Sequence, residues 1–366
     1  MRQKISTTLS ILAICFCSAI LLLIVYFSAK ETENLNEKIT ESYTKLPVLS
    51  NSFLDTLKWR ATTTSAPWEA RDSAEYYEFN GKLYLFGGLN GNGTLVDGQP
   101  DYDKAKYFND LWESDDGTNW KLITSHTELP PLRSMSIVPF NGKLFLYAGW
   151  SPTIGLNKDI WQSTDGIRWS KTGKEIPFPL REGQRILPAN GKLYLFGGVD
   201  YSFHKTYNDV WESLDGLSWQ VLTLNASWAP RWDHDVAFFK NKFWLIDGMT
   251  TGSDGFNDIW SSADGKDWTL EATGTPLGSR QGHVLLNYKG LLWLIGGLDA
   301  KSNVGVGDTW YSRNGRNWRK VPVNGDWLGR EDHQAFVFKN KLWVLTGMDT
   351  NWHWTNDIWQ GDFAGQ

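Results

Sequence analysis

The chain has 366 residues, a net charge of −5 at neutral pH, and 22 tryptophans against two cysteines. The charge is spread without basic blocks, which argues against nucleic acid as a partner. Both cysteines, Cys15 and Cys17, precede the repetitive part of the chain, so disulfide and thiol chemistry are excluded there.

The first segment is apolar. Residues 5–29 carry no charge, and the centre from Leu9 to Phe27 is long enough to span a hydrocarbon layer of roughly 30 Å as a helix. Arg2 and Lys4 precede it, while Glu31, Glu33 and Glu37 follow. That bias places the N-terminus in the cytoplasm and the rest outside it, in a periplasmic or extracellular space. A cleaved signal peptide is the competing reading. The apolar run is long for one, Phe27-Ser28-Ala29 is a poor cleavage site, and Ile14 weakens the lipobox ending at Cys15. The expected organisation is a cytoplasmic tip (1–4), an uncleaved transmembrane signal anchor (5–29), a stalk (30–51) and one domain (52–366). Leu35, Ile39 and Tyr43 stand at helical spacing within the stalk.

Beyond the stalk one phrase recurs six times: NGKLYLFGG (80–88), NGKLFLYAG (141–149), NGKLYLFGG (190–198), KNKFWLIDG (240–248), KGLLWLIGG (289–297) and KNKLWVLTG (339–347). First residues are 61, 49, 50, 49 and 50 positions apart. Short strands and Gly-rich turns at a period of about 50 residues predict a β-propeller with one four-stranded sheet per repeat. Each repeat carries a strand after an Arg, then the quoted phrase, then an Asn-Asp-x-Trp strand such as NDVW (208–211). A turn such as SLDGLSW (213–219) leads to the fourth strand. Asp-Gly or Asn-Gly at its tip favours a hairpin, because both residues accept positive φ. The Trp closing the turn is expected across the hairpin from the third-strand Trp. The sixth repeat lacks its fourth strand, and Leu57-Lys58-Trp59-Arg60 before the first repeat is expected to supply it, closing the ring with Trp59 beside Trp359.

The Gly-Gly after a Leu-aromatic-Leu strand, with a Trp downstream, resembles the Kelch repeat over about 310 of the 366 residues. The resemblance implies an all-β, six-bladed Kelch-type β-propeller; with the readings above, the expected fold is that propeller closed by an N-terminal strand and preceded by one transmembrane helix. The Ser-x-Asp-Gly-x-x-Trp hairpins also resemble shortened Asp-box turns of sialidases. Kelch propellers serve as binding scaffolds, as parts of oxidases and as sugar mutarotases, so the fold alone does not select an activity.

Candidate site residues come from the repeats and from their exceptions. Arg71, Arg133, Arg181, Arg231, Arg280 and Arg330 recur at the start of the innermost strand and are expected as a ring near the axial opening. Guanidinium groups gathered there would attract an anionic small molecule, a charged glycan or an acidic peptide. The architectural alternative pairs each Arg with a carboxylate, for which Asp72, Glu182, Asp233, Glu331 and the third-strand aspartates Asp110, Asp159, Asp209, Asp258, Asp308 and Asp357 are available. Three residues after the Arg stand His234, His283 and His333, matched in the first three repeats to Ala74, Ser136 and Gln184. Separate inner strands hold these histidines too far apart for one metal ion, so no metal and no cofactor is expected. The loop from Leu89 to Phe108 is the longest, and Trp150, Trp232, Trp352 and Trp354 lie outside the repeat pattern, beside the expected ring.

A binding or interaction module is the leading functional expectation, with a structural part of a surface assembly beside it. The enzymatic alternative is a carbohydrate-active protein of the sialic-acid mutarotase or sialidase type: a mutarotase needs an acid–base pair near an Arg clamp, which His283, His333 and Glu331 would supply, whereas a sialidase needs a Tyr–Glu nucleophile pair that the sequence does not single out. Galactose-oxidase chemistry is excluded, because it requires a Cys cross-linked to Tyr and no Cys lies beyond residue 17.

Overall fold

A computed structural model describes residues 49–364 except 201, 203, 252–254 and 323–326. The expected membrane helix, cytoplasmic tip and nearly all of the stalk lie outside these residues. Among the described residues no helix is long and apolar enough to cross a membrane. One short helix, Asn51–Leu54, is capped by Ser50, whose Oγ accepts from Phe53 N at 3.1 Å.

All remaining regular structure among the described residues is β: six antiparallel sheets of four strands, one of which carries a short fifth strand, with one small three-stranded sheet and two two-stranded ribbons beside them. Each quoted phrase forms the second strand of its sheet, for example Lys192–Val199 in sheet three. In that strand Leu193 and Leu195 face one side while Tyr194 and Phe196 face the other, and all four are buried. The cores therefore lie between neighbouring sheets. Tyr77 and Phe86 of sheet one pack with Met135 and Trp169 of sheet two. Trp68 and Leu85 of sheet one pack equally with Phe336 and Trp343 of sheet six. Burying each such side chain contributes about 1.5–3 kcal/mol against chain entropy. This arrangement is a β-propeller.

The predicted hairpins form, and the serine explains their recurrence. Ser213 Oγ accepts from Gly216 N at 2.9 Å and donates to Asp215, whose Oδ1 in turn accepts from Leu217 N and Ser218 N. Asn314 does the same work in sheet five. The glycine is needed twice over. Gly315 has φ +80°, and a Cβ there would meet the Trp244 ring of sheet four at 2.4 Å. The closing Trp is not across from the third-strand Trp: Trp120 opposes Ser114, and Trp112 opposes Leu122. Its indole instead folds back to donate to the turn, Trp120 Nε1 to Gly117 O at 2.9 Å.

The strand Lys58–Thr63 pairs antiparallel with Ile358–Asp362 at the end of the chain. Trp59 stands opposite Gly361 rather than Trp359, which faces Ala61. Its Nε1 donates to Thr309 Oγ1 in sheet five at 3.0 Å. Sheets six and one also meet directly, through Ser73 N to Asp332 O at 3.1 Å and Gly347 N to Arg71 O at 2.8 Å.

Candidate functional site

Five of the six recurring arginines are consumed by the architecture. Arg181 is fully buried, and its guanidinium forks onto Asp209 with contacts of 2.5 and 2.8 Å. Its remaining donors reach Pro179 O and Gly197 O, while Tyr207 lies 3.9 Å from it. Arg71 with Asp110, Arg231 with Asp258, Arg280 with Asp308 and Arg330 with Asp357 repeat this arrangement. The third-strand Trp completes it by donating to the same aspartate, as Trp211 does to Asp209 at 2.8 Å. Burial alone would raise the aspartate, but the arginine's hydrogen bonds and charge hold Asp308 and Asp357 below their ordinary value. Each group is thus a staple between the first, second and third strands, with its donors turned inward rather than to the axis.

Arg133 is different, because sheet two is shifted by one residue. The other five arginines donate to a carbonyl sixteen residues on. In sheet two the carbonyl that accepts from the preceding sheet belongs to Leu132, at the place Arg231, Arg280 and Arg330 hold elsewhere. The left-handed residue that follows two positions later in Ser73, Gly183, Asp233, Gly282 and Asp332 is likewise Ser134. Leu132 therefore occupies the staple position, Arg133 takes the next one, and Met135 rather than Ser136 is the counterpart of the histidines. Asp159, left without its Arg, pairs with Lys171 at 2.6 Å.

The shift turns Arg133 into the axial mouth, where it forks onto Glu182 with two contacts of 2.9 Å. Tyr102 and Trp150 flank its guanidinium at 4.6 and 4.9 Å. The corresponding residues of the other sheets are Asp72, Glu182, Trp232, Gln281 and Glu331. Next to them a belt of backbone hydrogen bonds runs from sheet to sheet: Ser134 N to Ser73 O, Ser73 N to Asp332 O, Asp332 N to Gly282 O, Gly282 N to Asp233 O and Asp233 N to Gly183 O. The mouth is therefore acidic. Asp72, Glu182, Asp233, Glu331 and Asp332 face one guanidinium, which reverses the expected sign of charge at the opening.

Electrostatics follow from that crowding. Burial, then the charge of Asp332, pushes Asp72 well up. Burial and Asp332 also raise Glu331, to about 8, although Gln281 donates to it at 2.9 Å. Burial and the neighbouring Asp332 and Glu331 raise Asp233 as well. One side of the mouth is roofed. Trp354 of the sheet-six loop packs on Gly91, and Tyr107 meets Trp150 edge-on at 5.6 Å. Beyond this roof the long loop projects a small hairpin, Leu95–Val96 with Gln99–Pro100, leaving Leu95 49% and Val96 54% exposed. Trp352 holds φ 58°, a backbone conformation that bulky residues seldom adopt, above a turn fixed by Asp349.

His234, His283 and His333 lie behind this mouth, buried between inner strands. Burial and then the neighbouring arginine lower all three, His283 and His333 to about 3, so they are neutral imidazoles at physiological pH. Among the described residues no three His, Cys, Asp or Glu side chains are grouped so as to hold a metal ion. The sequence offered Asp72, Glu182 and Asp233 only as partners for arginines, offered Glu331 both in that role and as an acid–base candidate, and gave no reason to single out Asp332 or Gln281.

A search of curated proteins returns no match to the chain. The family model described as the KLHDC2/KLHL20/DRC7 Kelch-repeats domain matches residues 183–366. Those residues contain the second-strand phrase, the Arg–Asp staple and the Asp-Gly hairpins just described, and the chain belongs to the Kelch-repeat family.

Proposed function

We propose that this chain is a six-bladed propeller, closed into one ring by its N-terminal strand, that binds a protein partner on the face bearing the second-to-third-strand loops. Kelch repeats in general act as protein-interaction modules. The observation that carries the reading is a division of labour. Residues common to the repeats are spent inside the sheets, whereas the departures from the repeat gather on one face. Leu95, Val96, Ile154 and Val304, each about half exposed, lie in the second-to-third-strand loops of that face with Trp352. The charge pattern of residues 1–37 further supports a single-pass anchor with the propeller on the extracytoplasmic side.

An anionic ligand or acidic sugar at the axial opening is not what the geometry supports best. The guanidiniums that would have bound it are engaged with carboxylates. The enzymatic alternative asks His283, His333 and Glu331 to exchange protons with a substrate, yet both imidazoles are buried behind the mouth. Affinity capture by the full-length chain from its own membranes tests the interaction reading. A Leu95→Ser, Val96→Ser variant is expected to lose a partner that the parent chain retains. Equal recovery of every partner by both proteins would overturn the assignment to this face.

A further inference from the structure

We infer that the cationic turns of sheets four to six rest on the anionic headgroups of a lipid bilayer, an inference that deepens the single-pass anchor proposed above and rests on it. In each sheet the first-to-second-strand turn and the third-to-fourth-strand hairpin lie at one end, opposite the second-to-third-strand loops. The two halves of that end differ in charge. In sheets four to six its turns (240–242, 263–267, 289–290, 313–317 and 339–341) carry eight lysines and arginines against two aspartates. In sheets one to three the matching turns (80–82, 115–119, 141–143, 164–168, 190–192 and 214–218) carry four cations and four aspartates. The largest departure is the hairpin of sheet five, where Asn314 replaces the aspartate and Arg313 and Arg316 flank it.

The partners of these cations differ as well. Lys82, Lys143 and Lys192 of the first three sheets are each held by a third-strand side chain, Glu113, Gln162 and Glu212 respectively. Lys240, Lys289, Arg316 and Lys339 make no ion pair with a carboxylate among the described residues, and Lys240, Arg316 and Lys339 are exposed. They belong to one continuous sector. Lys240 Nζ donates to Arg313 O at 2.8 Å across sheets four and five. Lys289 Nζ reaches Asn340 Oδ1, beside Lys339, at 3.5 Å across sheets five and six. Like charges gathered in this way repel one another, and a facing anionic surface relieves the repulsion.

A bilayer is the occupant because of where the described chain begins. The helix Asn51–Leu54 lies at this same end. Arg313 Nη2 donates to Asn51 Oδ1 at 2.9 Å, and Phe53 stacks at 5.0 Å on Phe363, which meets Trp293 of sheet five at 6.0 Å. The preceding chain therefore joins the domain among these cations. Only residues 30–48 separate that point from the apolar segment, a reach of at most about 65 Å even fully extended. Headgroups are thus held at high effective concentration near the turns, and they attract Lys and Arg within a Debye length of about 8–10 Å. Seated this way, the domain turns the Leu95–Val96 hairpin away from the bilayer, where a partner reaches it.

The test reconstitutes the full-length chain in vesicles of phosphatidylcholine, with or without phosphatidylglycerol. Acetylation by a membrane-impermeant reagent is then read residue by residue in a mass spectrometer. Lys240, Lys289 and Lys339 are expected to label at least about threefold more slowly when phosphatidylglycerol is present, and high salt should abolish the difference. Lys301, in the second-to-third-strand loop of sheet five, should label equally in both vesicles. In an Arg316→Gln, Lys339→Gln variant, Lys240 and Lys289 should lose most of that protection, and thermal unfolding reports separately that the variant is folded. Equal labelling of the three lysines in the two vesicles would overturn the inference. So would protection that persists without phosphatidylglycerol, which marks a protein contact instead. Resistance to carbonate extraction reports the anchor independently. A chain that stays in the bilayer with its lysines unprotected refutes this inference alone, whereas a chain that is extracted refutes the anchor on which it rests.

Discussion

Replacing Arg181 by Leu gives the sharpest test of the staple. The substitution leaves Asp209 buried without its guanidinium, with Trp211 Nε1 as its remaining side-chain donor among the described residues. Removing one partner of a buried pair costs about 3–5 kcal/mol, mostly because the surviving charge is stranded. Exchanging both partners for neutral groups is far less costly, so Arg181→Leu with Asp209→Asn should recover much of the loss, and the coupling should exceed about 2 kcal/mol. Sheet two is an internal precedent, since Leu132 fills the staple position there and Asp159 turns outward to Lys171. Urea unfolding of the full-length chain, followed by tryptophan fluorescence, measures all three variants. A single variant that costs less than about 1 kcal/mol, or two substitutions that simply add, would refute the claim that the buried charge pair dominates.

Three further outcomes follow from the same geometry. Gly315→Ala forces a Cβ into the Trp244 ring in a left-handed backbone and should destabilise by about 2–4 kcal/mol in the same unfolding assay. Ser213→Ala removes the acceptor for Gly216 N and should cost about 1–2 kcal/mol, read as a lowered urea midpoint. Glu331 has a folded pKa raised from 4.5 to about 8, so its contribution to stability is present below 4.5 and lost as pH rises through about 8. The melting temperature should therefore fall between pH 7 and about 8 and level off above it, and Glu331→Gln should flatten that fall; a parallel decline in both proteins would contradict it. The histidines do not confuse this window, because they are neutral in the folded state and largely neutral when unfolded above pH 7.

Strand order and hairpins were legible because they are local. A Leu-aromatic alternation fixes a two-faced strand, and Asp-Gly fixes a turn, whatever surrounds them. Even the pairing of the segment around Trp59 with the last strand could be read from a missing fourth strand. The finer placement of aromatic rings was not legible, since a bulge after the third-strand Trp changes the register: Leu111 pairs with Thr124 but Trp112 with Leu122.

The charge at the mouth was misread for a different reason. Matching repeats by the identity of one Arg placed Arg133 with the other five. Counting from each Arg to the following NGK or KNK phrase would have exposed the shift, because Arg133 stands one residue closer than its supposed equivalents. Which way a guanidinium points depends on a partner from another strand, and the Arg181–Asp209 fork joins residues 28 positions apart. Pattern alone does not carry that information. The carboxylates beside the arginines were visible, but as neighbours in sequence they all looked like counter-ions; Glu182 does pair with Arg133, while Asp72, Asp233 and Glu331 line the mouth.

The union of the first strand with the last has a consequence for how the molecule is made. Thr56 contacts Ala364 across 308 positions, so the strand Lys58–Thr63 must wait, unmated, until the segment Ile358–Asp362 has been made. During that interval five sheets can assemble in succession, each leaning on its predecessor, while the sixth stays one strand short. A nascent chain halted anywhere before Ile358 would carry an open seam, and the strand Ile358–Asp362 acts as the clasp that decides whether that seam is covered or a sticky edge is left behind.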